Sequence, residues 1–215
     1  MFSRLKSFLD NNKILNDNQY GFRANHSTEL AVLEFTQKVL SNMNKKLITL
    51  GIFIDLSKAF DVINHALLLK KLNAYGIRGV ANQWFESYLN DRNQYVTIGN
   101  ENSEKLTISS GVPQGSILGP TLFTLFINDL CNINDNVNFL LYADDTTIFF
   151  PTKNPSTSID EINKYLKEVT TWFSKMLYKQ VHLLICYYFY LFIYYFIHLS
   201  FFSTINKINL FYRLF

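Results

Sequence analysis

FLLYADDTTIFF, residues 139–150, sets two adjacent aspartates, Asp144 and Asp145, between two runs of apolar, β-branched and aromatic residues. Such runs predict two strands joined by a tight turn, with the acidic pair at the hairpin tip. Side-by-side carboxylates repel, and apolar flanks place them where water screens them poorly. The ordinary use of Asp at such a tip is simply to make the turn. The other use is a site where a cation lies against both carboxylates.

Working outward, KLITLGIFID (46–55) is a continuous apolar run that closes on Asp55. It has the pattern of a strand buried on both faces with a functional group at its C-terminal end. Asp55 is equally suited to cap a helix that follows. If Asp55 converges with Asp144 and Asp145, hard oxygen ligands in small number would suit Mg²⁺. Two such ions about 4 Å apart serve polymerase or nuclease chemistry by activating a hydroxyl and stabilising a departing phosphate oxygen. Between these blocks, SSGVPQGSILGP (109–120) carries glycines at 111, 115 and 119, with Gln114 among them. Such a loop lets backbone approach a substrate closely, or it merely connects a strand to a helix. QYGFRANHST (19–28) places Arg23 just before a capped helix start, a position suited to a phosphate contact or to a solvated surface arginine.

The rest of the chain supplies a scaffold. HSTELAVLEFTQKVL (26–40) predicts a helix capped by Ser27 or Thr28, with Ala31, Phe35 and Val39 on one face. HALLLKKLNAYG (65–76) predicts a helix stopped by Gly76, and ANQWFESYL (81–89) another. QYVTIG and KLTIS read as two short strands, and TLFTLFINDL (121–130) as an apolar helix. In SIDEINKYLKEVTTWFSKM (158–176), Ser158 and Glu161 form the pattern of a capping box, with Ile159, Ile162, Leu166, Val169 and Trp172 along one face. Helices interleaved with strands and a hairpin predict an α+β or mixed α/β fold.

Charge adds little. Of 20 Lys and Arg, three (Lys179, Lys207, Arg213) lie beyond residue 178, where there is no acid, so the body balances its 17 Asp and Glu and net charge gives no warrant for a nucleic-acid partner. Cys131 and Cys186 have no framework spacing, which predicts no disulfide and an intracellular setting. The N-terminus lacks an apolar run of signal-peptide length. From about residue 178 the vocabulary narrows to Phe, Tyr, Ile, Leu and Asn. Length and apolarity make about 183–202 a candidate transmembrane helix. Tyrosines scattered through its middle and basic residues at both ends favour an apolar low-complexity tail, 178–215, read through from AT-rich sequence.

In combination and order, QYGFR…ST, FIDLSKAFD (53–61), SGVPQGSILGPTLF…IND and YADD closely resemble the reverse transcriptase domain of non-LTR (LINE-type, jockey-like) retrotransposons, over about residues 2–177. The resemblance implies an α+β, partial right-hand polymerase fold of fingers and palm, with an antiparallel palm sheet and packed helices. It implies an RNA-directed DNA polymerase acting with two Mg²⁺ ions on dNTPs, an RNA template and a DNA primer, in the nucleus or cytoplasm. Asp55 and Asp144 match the principal metal ligands, Asp145 a supporting one, and Leu56 a backbone carbonyl donor. Phe60 matches the bulky residue that excludes a ribose 2′-hydroxyl. Gln114 and Gly115 match the nucleotide pocket and template contact, Arg23 a fingers residue near the incoming nucleotide, and Asp61 a structural cap. An Arg-Pro-Ile-type strand before residue 1, and the primer grip and thumb after 177, are the family's parts without a match here. That pattern predicts a truncated or frameshifted element copy that does not polymerise DNA alone. The alternatives are an inactive remnant that only binds nucleic acid and a protein anchored to a membrane by its tail.

Overall fold

The computed structural model describes residues 1–154 and 157–176 in full and 181–186 as backbone. Helix α1 (Phe2–Asn11) is followed by an irregular segment and by α2 (Thr28–Asn44). Ser27 is the N-cap of α2, its Oγ accepting from the Leu30 N–H at 3.3 Å, so one of the two proposed caps is used. Strand β1 (Ile48–Leu56) precedes α3 (His65–Ala74) and α4 (Val80–Leu89). QYVTIG and KLTIS each break up. Four two-residue strands form two small ladders, β2 (Asn93–Gln94) with β5 (Leu106–Thr107) and β3 (Thr97–Ile98) with β4 (Glu101–Asn102). These residues are exposed, so no buried face holds a longer register.

Next come α5 (Gly119–Ile127) and a 3₁₀ segment over Asn128–Asn132. Then β6 (Asn138–Tyr142) and β7 (Asp145–Thr152) form the expected hairpin, and α6 (Ile159–Lys175) packs behind it. The α6 capping box does not form. Ser158 Oγ bonds Thr152 Oγ1 at 2.7 Å, and Glu161 accepts from the Tyr165 hydroxyl. Ile159 is exposed, and the buried stripe is Ile162, Tyr165, Val169, Trp172 and Phe173.

The main sheet is antiparallel, in the order β6-β7-β1-β8, where β8 is Val181–Cys186. These six residues belong to the stretch assigned above to an apolar tail. As a strand they continue the sheet at its edge, and 183–186 of the suggested span are therefore not helical. The remainder of that span lies outside the described residues. Among the described residues no helix is long and apolar enough to cross a membrane.

Strand alternation gives the sheet two distinct faces. Leu50, Ile52, Ile54 and Leu56 of β1 pack into one large core with Leu68 and Leu72 of α3 and Leu122, Phe123 and Phe126 of α5. On the other face Leu140 and Phe149 meet Ala31 of α2, and Asn42 of α2 donates to Thr49 Oγ1 at 3.0 Å. A partly buried cation ties the layers behind the large core together. Lys71 of α3 donates to the Phe126 carbonyl at 2.6 Å and to Asp129, with its Nζ 4.8 Å from the Trp172 ring centroid. Burial pushes the Lys71 pKa down, and the Asp129 partner pulls against that shift.

Candidate active site

The three aspartates reach one end of the sheet by ordinary strand geometry. The β1–β7 register runs from Ile48↔Thr152 to Ile54↔Thr146, so one further step sets Asp55 beside Asp145. Asp55 shares its side of β1 with Thr49, and Asp145 shares its side of β7 with Phe149, so both belong to the α2 face. Directly opposed like charges on neighbouring strands are unfavourable. Asp144 stands in the two-residue turn between β6 and β7, where Tyr142 pairs with Asp145. Ala143, the first residue of that turn, has φ of 56° and Asp144 does not share the positive sign, the sign pattern of a II′ hairpin turn. That place normally takes Gly, so alanine there is strained.

Electrostatics register the crowding. Loss of water raises the Asp144 pKa, with a further rise from Asp55, against the pull of its own backbone hydrogen bond. Asp145 keeps a solvent-facing side, yet the surrounding protein removes enough water to lift it, and the charges of Asp144 and Asp55 push it to about 6. Among the described residues no three carboxylate, imidazole or thiol groups are already gathered into a closed ligand cage. The carboxylates share a field without closing on one point. Their donor chemistry suits a hard divalent cation, which would relieve the same repulsion that raises Asp145.

The other expected residues surround this end. Leu56 is buried in the large core, which leaves its backbone as the part able to face a ligand. Phe60 stacks on Phe123 with ring centroids 4.4 Å apart, and Phe22 meets its edge at 6.1 Å. Gln114 and Gly115 are exposed on the glycine-rich loop, and Gln114 Nε2 donates to Asp61 Oδ1 at 2.6 Å. The base of that loop is tied down. The Gly111 N–H reaches the Ile63 carbonyl at 2.8 Å, Val112 N–H the Phe60 carbonyl at 3.0 Å, and His65 Nε2–H the Gly111 carbonyl at 2.7 Å. A Cβ on Gly111 would stand 2.7 Å from the Asp61 carbonyl oxygen, and its φ of +87° disfavours a side chain as well. Asp61 therefore braces this loop. The cap of α3 is Asn64, whose Oδ1 accepts from the Leu67 N–H at 2.9 Å, so neither Asp61 nor Asp55 serves as a helix cap.

Arg23 is largely turned inward. Its Nη1 donates to the carbonyls of Asn16 at 2.7 Å and Gln19 at 3.3 Å, and Nη2 lies 3.5 Å from Asp17. The segment it braces is held to the 3₁₀ segment and to the sheet by two buried amides to which the sequence assigned no role. Asn128 accepts from the Asn16 N–H and donates to the Ile14 carbonyl, both at 2.8 Å. Gln19 reaches the hairpin turn itself. The long-range bonds of these amides carry no local signal, because their partners lie more than a hundred positions away.

The architecture is an antiparallel sheet backed by helices, with three carboxylates crowded at one end and a tethered glycine-rich loop beside them, an α+β scaffold with an acidic site. Residues 1–180 match the family model described as reverse transcriptase (RNA-dependent DNA polymerase), and the chain belongs to that family. It is 32% identical over 190 residues to a Drosophila melanogaster protein described as "Probable RNA-directed DNA polymerase from transposon BS", covering 82% of this chain and 20% of that one. It is 30% identical over 182 residues to the RNA-directed DNA polymerase from mobile element jockey of the same species, covering 80% and 19%. Such relatives place the chain among the non-LTR, jockey-like elements, although it spans only about a fifth of their length. In fold it is similar to apo telomerase from Candida tropicalis, with a TM-score of 0.62 at 12% identity over 86% of this chain and 36% of that one.

Proposed function

We propose that this chain carries the fingers-palm nucleotidyl-transfer site of an RNA-directed DNA polymerase, extending a DNA primer on an RNA template with dNTPs. The observation that carries the proposal is the meeting of Asp55, Asp144 and Asp145 at one sheet end, with Asp145 pushed to about 6 by burial and by the other two. In this reading Asp55 and Asp144 hold two Mg²⁺ ions, Asp145 supports them, and the Leu56 carbonyl adds a donor. Bound there, such ions supply an acidified primer 3′-hydroxyl and a stabilised leaving phosphate oxygen.

The chain's own residues do the rest. Phe60, fixed against Phe123, forms the floor that a ribose 2′-hydroxyl would strike. Gln114 and Gly115 line the nucleotide and template side of a loop whose base is anchored to residues 60–63. Arg23 chiefly braces its own loop, and only its remaining N–H groups would be left for the incoming nucleotide phosphates. The setting is intracellular, in nucleus or cytoplasm.

The test is Mg²⁺-dependent dNTP incorporation on primed RNA by the chain with family-like flanks restored on both sides. The expected result is synthesis that Asp144→Asn abolishes and a Phe60→Ala variant that accepts ribonucleotides. Synthesis that persists in Asp144→Asn would remove the metal assignment. Binding of primed RNA without any synthesis would leave a nucleic-acid-binding remnant.

A further inference from the structure

Gln19 lies in an irregular segment, yet its side chain is buried, with only 1% exposure. A buried amide is costly unless its donors and acceptor are used. Here both ends of the amide reach the backbone of one residue, Ala143, and Oε1 also reaches Gly21. Gln19 Oε1 accepts from the Ala143 N–H at 3.1 Å and from the Gly21 N–H at 2.7 Å, while Nε2 donates to the Ala143 carbonyl at 3.4 Å. Ala143 is the positive-φ residue of the turn that presents Asp144 and Asp145. Strand pairing ends at Tyr142↔Asp145, so the Ala143 N–H and carbonyl have no ladder partner. Gln19 supplies one for each.

The surrounding backbone reinforces the grip. Tyr20 N–H donates to the Leu141 carbonyl at 2.7 Å and Leu141 N–H to the Asn18 carbonyl at 2.8 Å, a short parallel bridge along the outer edge of β6. Gly21 comes so close that an added Cβ would lie 2.1 Å from the Ala143 nitrogen. A strained residue persists where its surroundings over-determine it, and these contacts do so from one side.

We infer that Gln19 is a positioning residue whose side-chain amide locks the Ala143 peptide and thereby sets where Asp144 and Asp145 stand relative to Asp55. It acts on the carboxylates through the turn, without touching substrate or metal itself. The inference rests on the polymerase reading for its consequence, but the lock is a property of the fold.

The full chain with Gln19→Met, similar in length but without the amide, tests it. Amide hydrogen exchange at Ala143 and Gly21 should accelerate at least tenfold while the Val39 amide in the α2 core keeps its protection. Mn²⁺ affinity, read by electron paramagnetic resonance, should weaken at least fivefold. In the incorporation assay the Mg²⁺ concentration for half-activity should rise about as much as the Mn²⁺ dissociation constant, with KM for dNTP changed less than twofold. Wild-type exchange at Ala143 together with wild-type Mn²⁺ affinity would overturn the inference. So would equal loss of protection at Val39 and Ala143, because Gln19 would then hold the whole fold and not the turn. Should Gln19→Met fail to fold, Gln19→Asn, too short by one methylene to span Ala143 and Gly21, is judged by the same outcomes. A wild-type chain that binds no Mn²⁺ above the level of Asp144→Asn would sink the metal reading, whereas Ala143 exchange would still decide the lock.

Discussion

Two loops flank the same sheet end and are built in opposite ways. The aspartate turn is gripped by a buried amide and a close backbone approach, at Gln19 and Gly21. The glycine-rich loop is pinned only at its base, around Gly111 and Val112, while its tip hangs on one exposed bond from Gln114 to Asp61. Buried hydrogen bonds cannot exchange with water, and exposed ones can. Carboxylates that must keep their spacing are thus held on the rigid side. The loop proposed to meet a changing substrate is held on the yielding side.

The largest expected effect tests what the rigid side holds. Asp144→Asn removes a proposed metal ligand from the turn, and incorporation on primed RNA should fall by about a thousandfold or more, a loss of several kcal/mol of transition-state stabilisation. Gln114→Asn, on the yielding tip, should cost far less. A fall of similar size for both would erase the contrast.

Next come the two glycines at which the loops touch the body. Gly21→Ala forces a methyl against the Ala143 backbone, and a chain shift of that kind costs about 1–3 kcal/mol in urea unfolding. Gly111→Ala adds to a similar clash a left-handed backbone, itself about 1–2 kcal/mol, and should be the less stable of the two. Because Gly21 borders the aspartate turn, its variant should also weaken Mn²⁺ binding, and Gly111→Ala should not.

A subtler effect lies in pH. A carboxyl with its folded pKa raised to about 6 is ionised earlier in the unfolded chain, so metal-free stability falls as pH rises from about 4 to 6 and then levels. Asp145→Asn should therefore raise the metal-free Tm at pH 7 and leave it unchanged at pH 3.5. Divalent cations should stabilise the wild type more at pH 7 than at pH 5, because protons compete for the same oxygens. A metal-free Tm that rises between pH 4 and 6 in the wild type, and more than in Asp145→Asn, would contradict the crowding.

The smallest effect belongs to the yielding tip. Gln114→Ala deletes an exposed hydrogen bond, so unfolding free energy should change by about 0.5 kcal/mol or less. KM for dNTP should nevertheless rise severalfold. An unchanged KM would take Gln114 out of the nucleotide pocket.

The sequence by itself determined the three central strands and the position of the aspartates on them. The apolar run ending at Asp55 and the hairpin bearing Asp144 and Asp145 are local patterns, since strand alternation and turn chemistry are written within a few residues. The same holds for the buried face of α2. The helix caps were less legible, because Ser158 found Thr152 instead of its own helix, and Asn64 took the place given to Asp61. Tertiary structure alone decided which face of the sheet holds the acids, because that depends on where α2 packs. It also made an edge strand of Val181–Cys186, where apolar composition alone cannot separate a strand from a membrane span. Gln19 belongs to the same class. A polar side chain in a loop has no periodicity to announce it, and its importance arises only when folding brings a peptide 124 residues away within reach of its amide.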